Sequence, residues 1–86
     1  MVHYRRLFEM LLLNEKFEGL IGSDLERDGM YLEVSEFPYN SVEIILEIFY
    51  SDVTNKFSIT LFKESVALEL VEKAIKIAKH RLVPMI

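Results

Sequence analysis

The sequence predicts an α+β fold of α-β-β-β-α order: a three-stranded antiparallel meander with two helices packed on one of its faces. Three observations lead to it. Apolar residues recur at helical spacing near both ends of the chain. Three runs between them alternate apolar and polar side chains. The chain has 86 residues, 51% of them hydrophobic and 28% charged, which is one domain (1–86) with too much apolar content for a disordered segment.

The first expected helix covers residues 3 to about 18. Tyr4, Leu7, Phe8, Leu11 and Leu12 form its stripe, Met10 and Leu13 widen it, and Arg5, Arg6 and Glu9 lie between. Asn14 ends or bends it, and Gly19 and Gly22 close the region. A polar connector follows, and Asp28-Gly29 is a turn pair leading into a strand.

The first expected strand is Met30 to Phe37, with Met30, Leu32 and Val34 on one face and Tyr31, Glu33 and Ser35 on the other; Pro38 stops it. The second is Val42 to Tyr50. Val42, Ile44, Leu46, Ile48 and Tyr50 share its core face, leaving Glu43, Ile45, Glu47 and Phe49 outward. Ser51 to Asn55 reads as a hairpin loop. In the third strand, Lys56 to Phe62, Phe57, Ile59 and Leu61 face the core and Ser58, Thr60 and Phe62 face out.

Ser65 is the expected cap of a last helix from Val66 to about Val83. Its buried stripe is Leu68, Val71, Ala74, Ile75, Ala78 and Leu82, with Glu69–Lys73 and Glu72–Lys76 as i,i+4 pairs. Lysines gather toward its C-terminal end, as the helix dipole favours, and Pro84 follows the stop.

Several chemistries find no support. The absence of cysteine removes disulfides, thiolate nucleophiles and thiolate-held zinc. His3 and His80 sit near opposite ends with no spacing that makes a metal pair. No serine sits in a nucleophile context, and Gly19, Gly22 and Gly29 do not form a phosphate-cradling pattern. Glu33, Glu43 and Glu47 are carboxylates of the type used for acid–base work, but a meander this small predicts no deep pocket. The reading is a non-enzyme with no catalytic residue, cofactor or metal. No apolar run approaches the roughly 20 residues that span a bilayer. Arg5 and Arg6 ahead of an apolar stretch have the outline of a signal peptide. Glu9 interrupts that stretch and no small-residue cleavage site follows, so the expected compartment is the cytoplasm.

The net charge of −4 is unevenly spread. Residues 1–23 balance three bases against three acids, residues 24–52 set Arg27 against eight carboxylates for a net −7, and residues 53–86 set six bases against three acids for +3. A partner that meets the middle block is basic. The α-β-β-β-α order is similar to that of the double-stranded-RNA-binding domain. That family uses lysines at the start of its last helix, where this chain has Ser65-Val66-Ala67-Leu68-Glu69. With an acidic middle block, nucleic acid is disfavoured as a ligand.

The outward sheet face is the candidate site. Tyr31, Glu33, Glu43, Ile45, Glu47, Phe49 and Phe62 mix carboxylates with apolar and aromatic side chains, a composition suited to protein binding: aromatics anchor while carboxylates orient a cationic partner. The bland alternative is that the N-terminal helix or a second copy covers this face.

The stretches Gly29-Met30-Tyr31-Leu32-Glu33-Val34-Ser35-Glu36, Leu46-Glu47-Ile48-Phe49-Tyr50-Ser51-Asp52 and Val66-Ala67-Leu68-Glu69-Leu70-Val71-Glu72 resemble small bacterial immunity proteins of contact-dependent inhibition and related polymorphic toxin systems, over residues 28–83. The resemblance implies a single-domain acidic antidote that binds a cognate toxin, often a basic nuclease, and blocks its active site or substrate path. It carries no site residues with it. Three readings follow: an immunity-type inhibitor of a basic protein such as a nuclease toxin, a homodimeric adaptor, chaperone or structural subunit, and a nucleic-acid-binding module.

Overall fold

The structure, a computed structural model, describes residues 4–83. Strands β1 (Arg5–Leu12), β2 (Glu15–Asp24), β3 (Gly29–Glu36), β4 (Ile44–Ser51) and β5 (Phe57–Leu61) follow one another and precede a helix, α1 (Leu68–Arg81). The strands form one antiparallel sheet in the order β1-β2-β3-β4-β5, an up-and-down meander with no crossover. α1 lies across one face, against β3 and β4.

The α-β-β-β-α order with three strands and two helices is therefore overturned: the sheet has five strands, and α1 is the one helix among the described residues. The segment expected as the first helix folds instead as β1, a Leu13-Asn14 turn and the start of β2, with Leu12 opposite Glu15 and Phe8 opposite Gly19. The similarity of order to double-stranded-RNA-binding domains goes with it. The physical reason is a degenerate pattern. Apolar residues crowd 7–13 so densely that they satisfy a period of 3.6 and a period of 2 alike. Pairing with β3 breaks the tie, because it completes the ladder of β2 and sets Ile21 opposite Leu32. His3, where the expected helix begins, and Pro84 lie outside the described residues.

Aromatic rings explain why Gly19 and Gly22 sit inside β2 rather than at a helix end. A Cβ on Gly19 would strike the Phe8 ring, one on Gly22 the Tyr31 ring, and one on Gly29 the Phe49 ring and the Tyr50 carbonyl oxygen. The far end of each ring lies over a glycine, which returns contact area to a position with no side chain of its own.

The core lies between the sheet and α1. Met10, Ile21, Leu32, Val34, Leu46 and Ile48 from the sheet meet Leu70, Ala74, Ala78 and Leu82. The small Ala74 and Ala78 let the helix approach closely, and both are fully buried. The stripe is rotated from the expected one: Leu68 and Ile75 are exposed, and Leu70 is buried in their place. Ala67 rather than Ser65 occupies the N-cap, without a side-chain cap bond. Lys73 reaches away from Glu69 and donates through Nζ to the Leu11 carbonyl, tying α1 to β1.

A bulge in β4 reassigns two further residues, and Ile44, expected on the core face, stands opposite Ser35 of the outer face. Val34 is opposite Leu46, but Ser35 is opposite Ile44, so Ile45 is the extra residue. Ile45 and Leu46 both pack into the core on the helix side. Ile45, expected on the outer face, is 8% exposed.

Candidate protein-binding face

The sheet face away from α1 carries no helix, so its side chains are visible as rows across the strands. The central row is Leu7, Leu20, Glu33, Glu47 and Thr60; the next is Arg5, Gly22, Tyr31, Phe49 and Ser58. Tyr31, Glu33, Glu47 and Phe49, four of the seven residues expected from the sequence, are therefore contiguous neighbours on one surface. Glu43 and Phe62 lie apart from them. They line a shallow cleft with Val42, Ile44 and Lys63 where β4 begins and β5 ends. Ile45 contributes nothing to the face, for the reason given above.

Two loops fold back onto the central row and satisfy its carboxylates. Asp24 Oδ1 accepts from the N–H groups of Glu26 and Arg27, at 3.1 Å each, which turns the β2–β3 loop. The turn aims Arg27 over the sheet. Its Nε donates to Asp24 Oδ2 at 2.6 Å, while Nη1 and Nη2 grip Glu47 Oε1 and Oε2 at 3.2 and 3.0 Å. The guanidinium also stacks on Phe49, 4.1 Å from the ring centroid. One arginine thus makes a bidentate carboxylate pair and a cation–π contact together, a geometry lysine cannot copy. The Arg27 bond holds the Asp24 carboxyl below its ordinary range, and the Glu47 bond raises the Arg27 guanidinium further.

From the other end, the β3–β4 loop lays Tyr39 across the face. Its hydroxyl donates to Glu33 Oε1 at 3.1 Å and its N–H to Glu18 Oε1 at 3.3 Å. Ser35, fully buried beneath this loop, donates to the Glu36 carbonyl and accepts from the Asn40 N–H. Burial pushes the Glu33 carboxyl up, against the Tyr39 bond, and the charge of Glu47 adds to the rise. Tyr39 is raised as well, first by burial and then by the Glu33 charge. Beside Tyr39 a groove of about 360 Å³ is lined by Arg5, Leu7 and Leu20.

The carboxylates expected to greet a partner are thus of two kinds. Glu33 and Glu47 in the centre are bonded within the chain. Glu26, Asp28 and Asp52 at one rim, and Glu43 at the other, are exposed and form no ion pair among the described residues. Glu36 is exposed too, but it stands opposite Phe17 on the helix side of the sheet. The Asp52 N–H donates to the Asp28 carbonyl, so those two side chains are held on adjoining loops. Sequence reasoning missed Arg27, Tyr39 and Leu20. Arg27 is the lone base in an acidic block, a signal that it is paired; the turn-forming Asp24 three residues before it is the second. Leu20 and Tyr39 gave no signal, because each depends on which segments the sheet brings together.

Among the described residues no cluster of histidine and carboxylate side chains has metal-site geometry, and no helix is long and apolar enough to cross a membrane. No family model, curated protein or solved structure matches this chain.

Proposed function

We propose that this chain is a protein-binding inhibitor of the immunity type, which neutralises a basic partner such as a nuclease toxin by presenting carboxylates where that partner expects phosphates. The observation that carries the reading is the placement of free charge. The acidic segment 24–52 forms the middle of a helix-free sheet face, and it spends Arg27 on internal bonds while leaving four carboxylates exposed on the two rims. A basic active site seated over the face meets Glu26, Asp28 and Asp52 on one side and Glu43 on the other. The aromatic and leucine surface of Tyr31, Tyr39 and Leu7 supplies apolar contact between them. Long-range attraction speeds association, which an antidote needs. The similarity of residues 28–83 to immunity proteins points the same way.

The internal bonds change which residues test the idea. Reversing Glu47 would set a lysine against Arg27 and disturb the sheet, so a loss of binding there would be ambiguous. Glu26→Lys with Glu43→Lys alters two exposed side chains with no internal partner. The experiment is capture of interacting proteins from the native host at low and high salt, followed by a titration of the captured protein's own activity. The reading expects one basic protein, inhibited at one-to-one stoichiometry and released by salt, with affinity falling at least about tenfold in the double variant. A partner whose affinity ignores both salt and the double substitution would refute it.

A further inference from the structure

The two edges of the sheet are not alike. In β1 the Ser23 N–H donates to the Tyr4 carbonyl, so the even-numbered residues pair with β2 and the odd-numbered ones turn their N–H and C=O groups to the free edge. That edge is guarded: Arg5 and Glu9 are charged, and Lys73 of α1 occupies the Leu11 carbonyl. At the other end of the sheet, the Phe62 N–H donates to Ile45 and the Lys56 carbonyl accepts from Ser51. The even-numbered residues of β5 therefore pair with β4, and Phe57, Ile59 and Leu61 present their backbone outward. Nothing guards them. Phe57-Ser58-Ile59-Thr60-Leu61-Phe62 has no charge, proline or glycine, and Ile59 and Leu61 are 43% and 50% exposed. A groove of about 300 Å³ runs alongside between β5 and α1, lined by Ile48, Phe57, Ile59, Ile75 and Ala78, with Ser58 and Lys79 as its polar members.

We infer that β5 is a dimerisation edge, at which a second copy of this chain adds its own β5 antiparallel to form a continuous ten-stranded sheet across a two-fold axis beside Ile59. The edge is complementary to itself. With Ile59 opposite the partner's Ile59, Phe57 faces the partner's Leu61 and Leu61 the partner's Phe57. All three outward-facing residues then meet outward-facing residues and exchange both backbone bonds. The same register sets Ser58 against the partner's Thr60, Lys56 against the partner's Phe62 and Lys63 against the partner's Asn55, so no like charges are paired along the strands. Sliding the strands by one residue would oppose an outward backbone to an inward one and lose the bonds.

Strand pairing alone is small against the roughly 1,000 Å² of a stable interface, and the groove supplies the rest: Leu61 and Ile59 of the partner enter beside Ile75 of α1. None of the rim carboxylates belongs to the strand pair itself, so the dimer is a separate proposal from the inhibitor role.

Sedimentation equilibrium of the purified chain tests it. The expected result is a mass twice the 10.1 kDa of one chain at roughly 100 µM, dissociating on dilution. Ile59→Lys places a charge at the two-fold and should weaken the dimer at least about 100-fold with an unchanged circular dichroism spectrum. Ile59→Cys adds one thiol to a cysteine-free chain and should cross-link to itself through a short bifunctional thiol reagent, whereas Val53→Cys, in the β4–β5 loop, should not. A wild-type chain monomeric throughout, a dimer that survives Ile59→Lys, or equal cross-linking of the two cysteine variants would overturn the inference. Strand addition by an unrelated protein to a monomeric chain would overturn it as well.

Discussion

Glu33 and Glu47 stand directly opposite each other across β3 and β4, and each carboxylate is bonded by a side chain from a different loop. Two like charges in that relationship repel. Arg27 relieves Glu47 with a full positive charge, whereas Tyr39 gives Glu33 a neutral hydroxyl. Burial raises the Glu33 carboxyl, the Tyr39 bond offsets part of that rise, and the Glu47 charge adds to it.

Glu33 therefore has a predicted pH signature. Its folded pKa lies above the ordinary 4.5, so the native state holds the proton more tightly than the unfolded chain does. The stability linked to that proton is present in full below the unfolded pKa and is lost as pH rises through the folded pKa. Glu33→Gln removes the charge and keeps an oxygen for the Tyr39 hydroxyl. The variant should melt at a higher temperature than the wild type at pH 7, and the gap should close below about pH 4, where the wild type is protonated too. Melting curves at the two pH values measure it; a gap that widens on acidification contradicts the assignment.

Ile45 was expected to touch a partner and is instead part of the core. Ile45→Ala should cost about 2–4 kcal/mol of folding stability, the range for truncating a buried isoleucine. Urea unfolding reads this directly, and a loss below about 0.5 kcal/mol would put the side chain back at the surface.

How much of this was legible follows from particular residues. The alternation at 30–37 stands, because that run has one reading and its neighbours agree with it. The strand at 57–61 is present, but Ile59 and Leu61, expected to face the core, are exposed at the free edge. The helix at the C-terminal side stands too, displaced by a rotation that exchanged Leu68 and Ile75 for Leu70. The N-terminal third did not stand. Met10 to Leu13 is apolar at every position, and the turn that splits it has a leucine where hairpins use glycine or asparagine. Ile45 escaped because a bulge shifts face assignment by one residue, and alternation carries no mark of it. Of the candidate face, the carboxylates and aromatics were legible as a set. Their internal neutralisation was not, since it needs loops that lie far away in sequence.

That leucine supplies a further prediction. Leu13 has φ of 56° and is 93% exposed, so it bears the left-handed strain of the hairpin and packs against nothing in return. Leu13→Gly should stabilise the fold by about 0.5–1 kcal/mol, the strain relieved less the added entropy of an unfolded glycine. Chemical denaturation would show an increased midpoint with the same slope. A destabilised variant would mean that Leu13 makes contacts of its own.

Gly29 has the opposite requirement. An alanine Cβ there meets the Tyr50 carbonyl, part of the neighbouring strand, as well as the Phe49 ring. Gly29→Ala should cost about 2 kcal/mol or more, since backbone must move. Gly22→Ala meets only the Tyr31 side chain and should cost less. Equal losses in thermal melts of the two variants would show that the rings, not the strand, set the limit.

The place of α1 in the chain has a kinetic consequence. Each strand pairs with the strand next to it, so the sheet assembles from local hairpins that close short loops on microsecond timescales. α1 follows all five strands, yet it covers β3 and β4 and closes the edge of β1 through Lys73. The slow, long-range event in folding is therefore the docking of one helix. A newly made chain exposes an apolar sheet with two open edges until it happens. Chaperone engagement should track the interval before docking, and variants that weaken α1 should show it first as aggregation during synthesis rather than as a lower melting temperature.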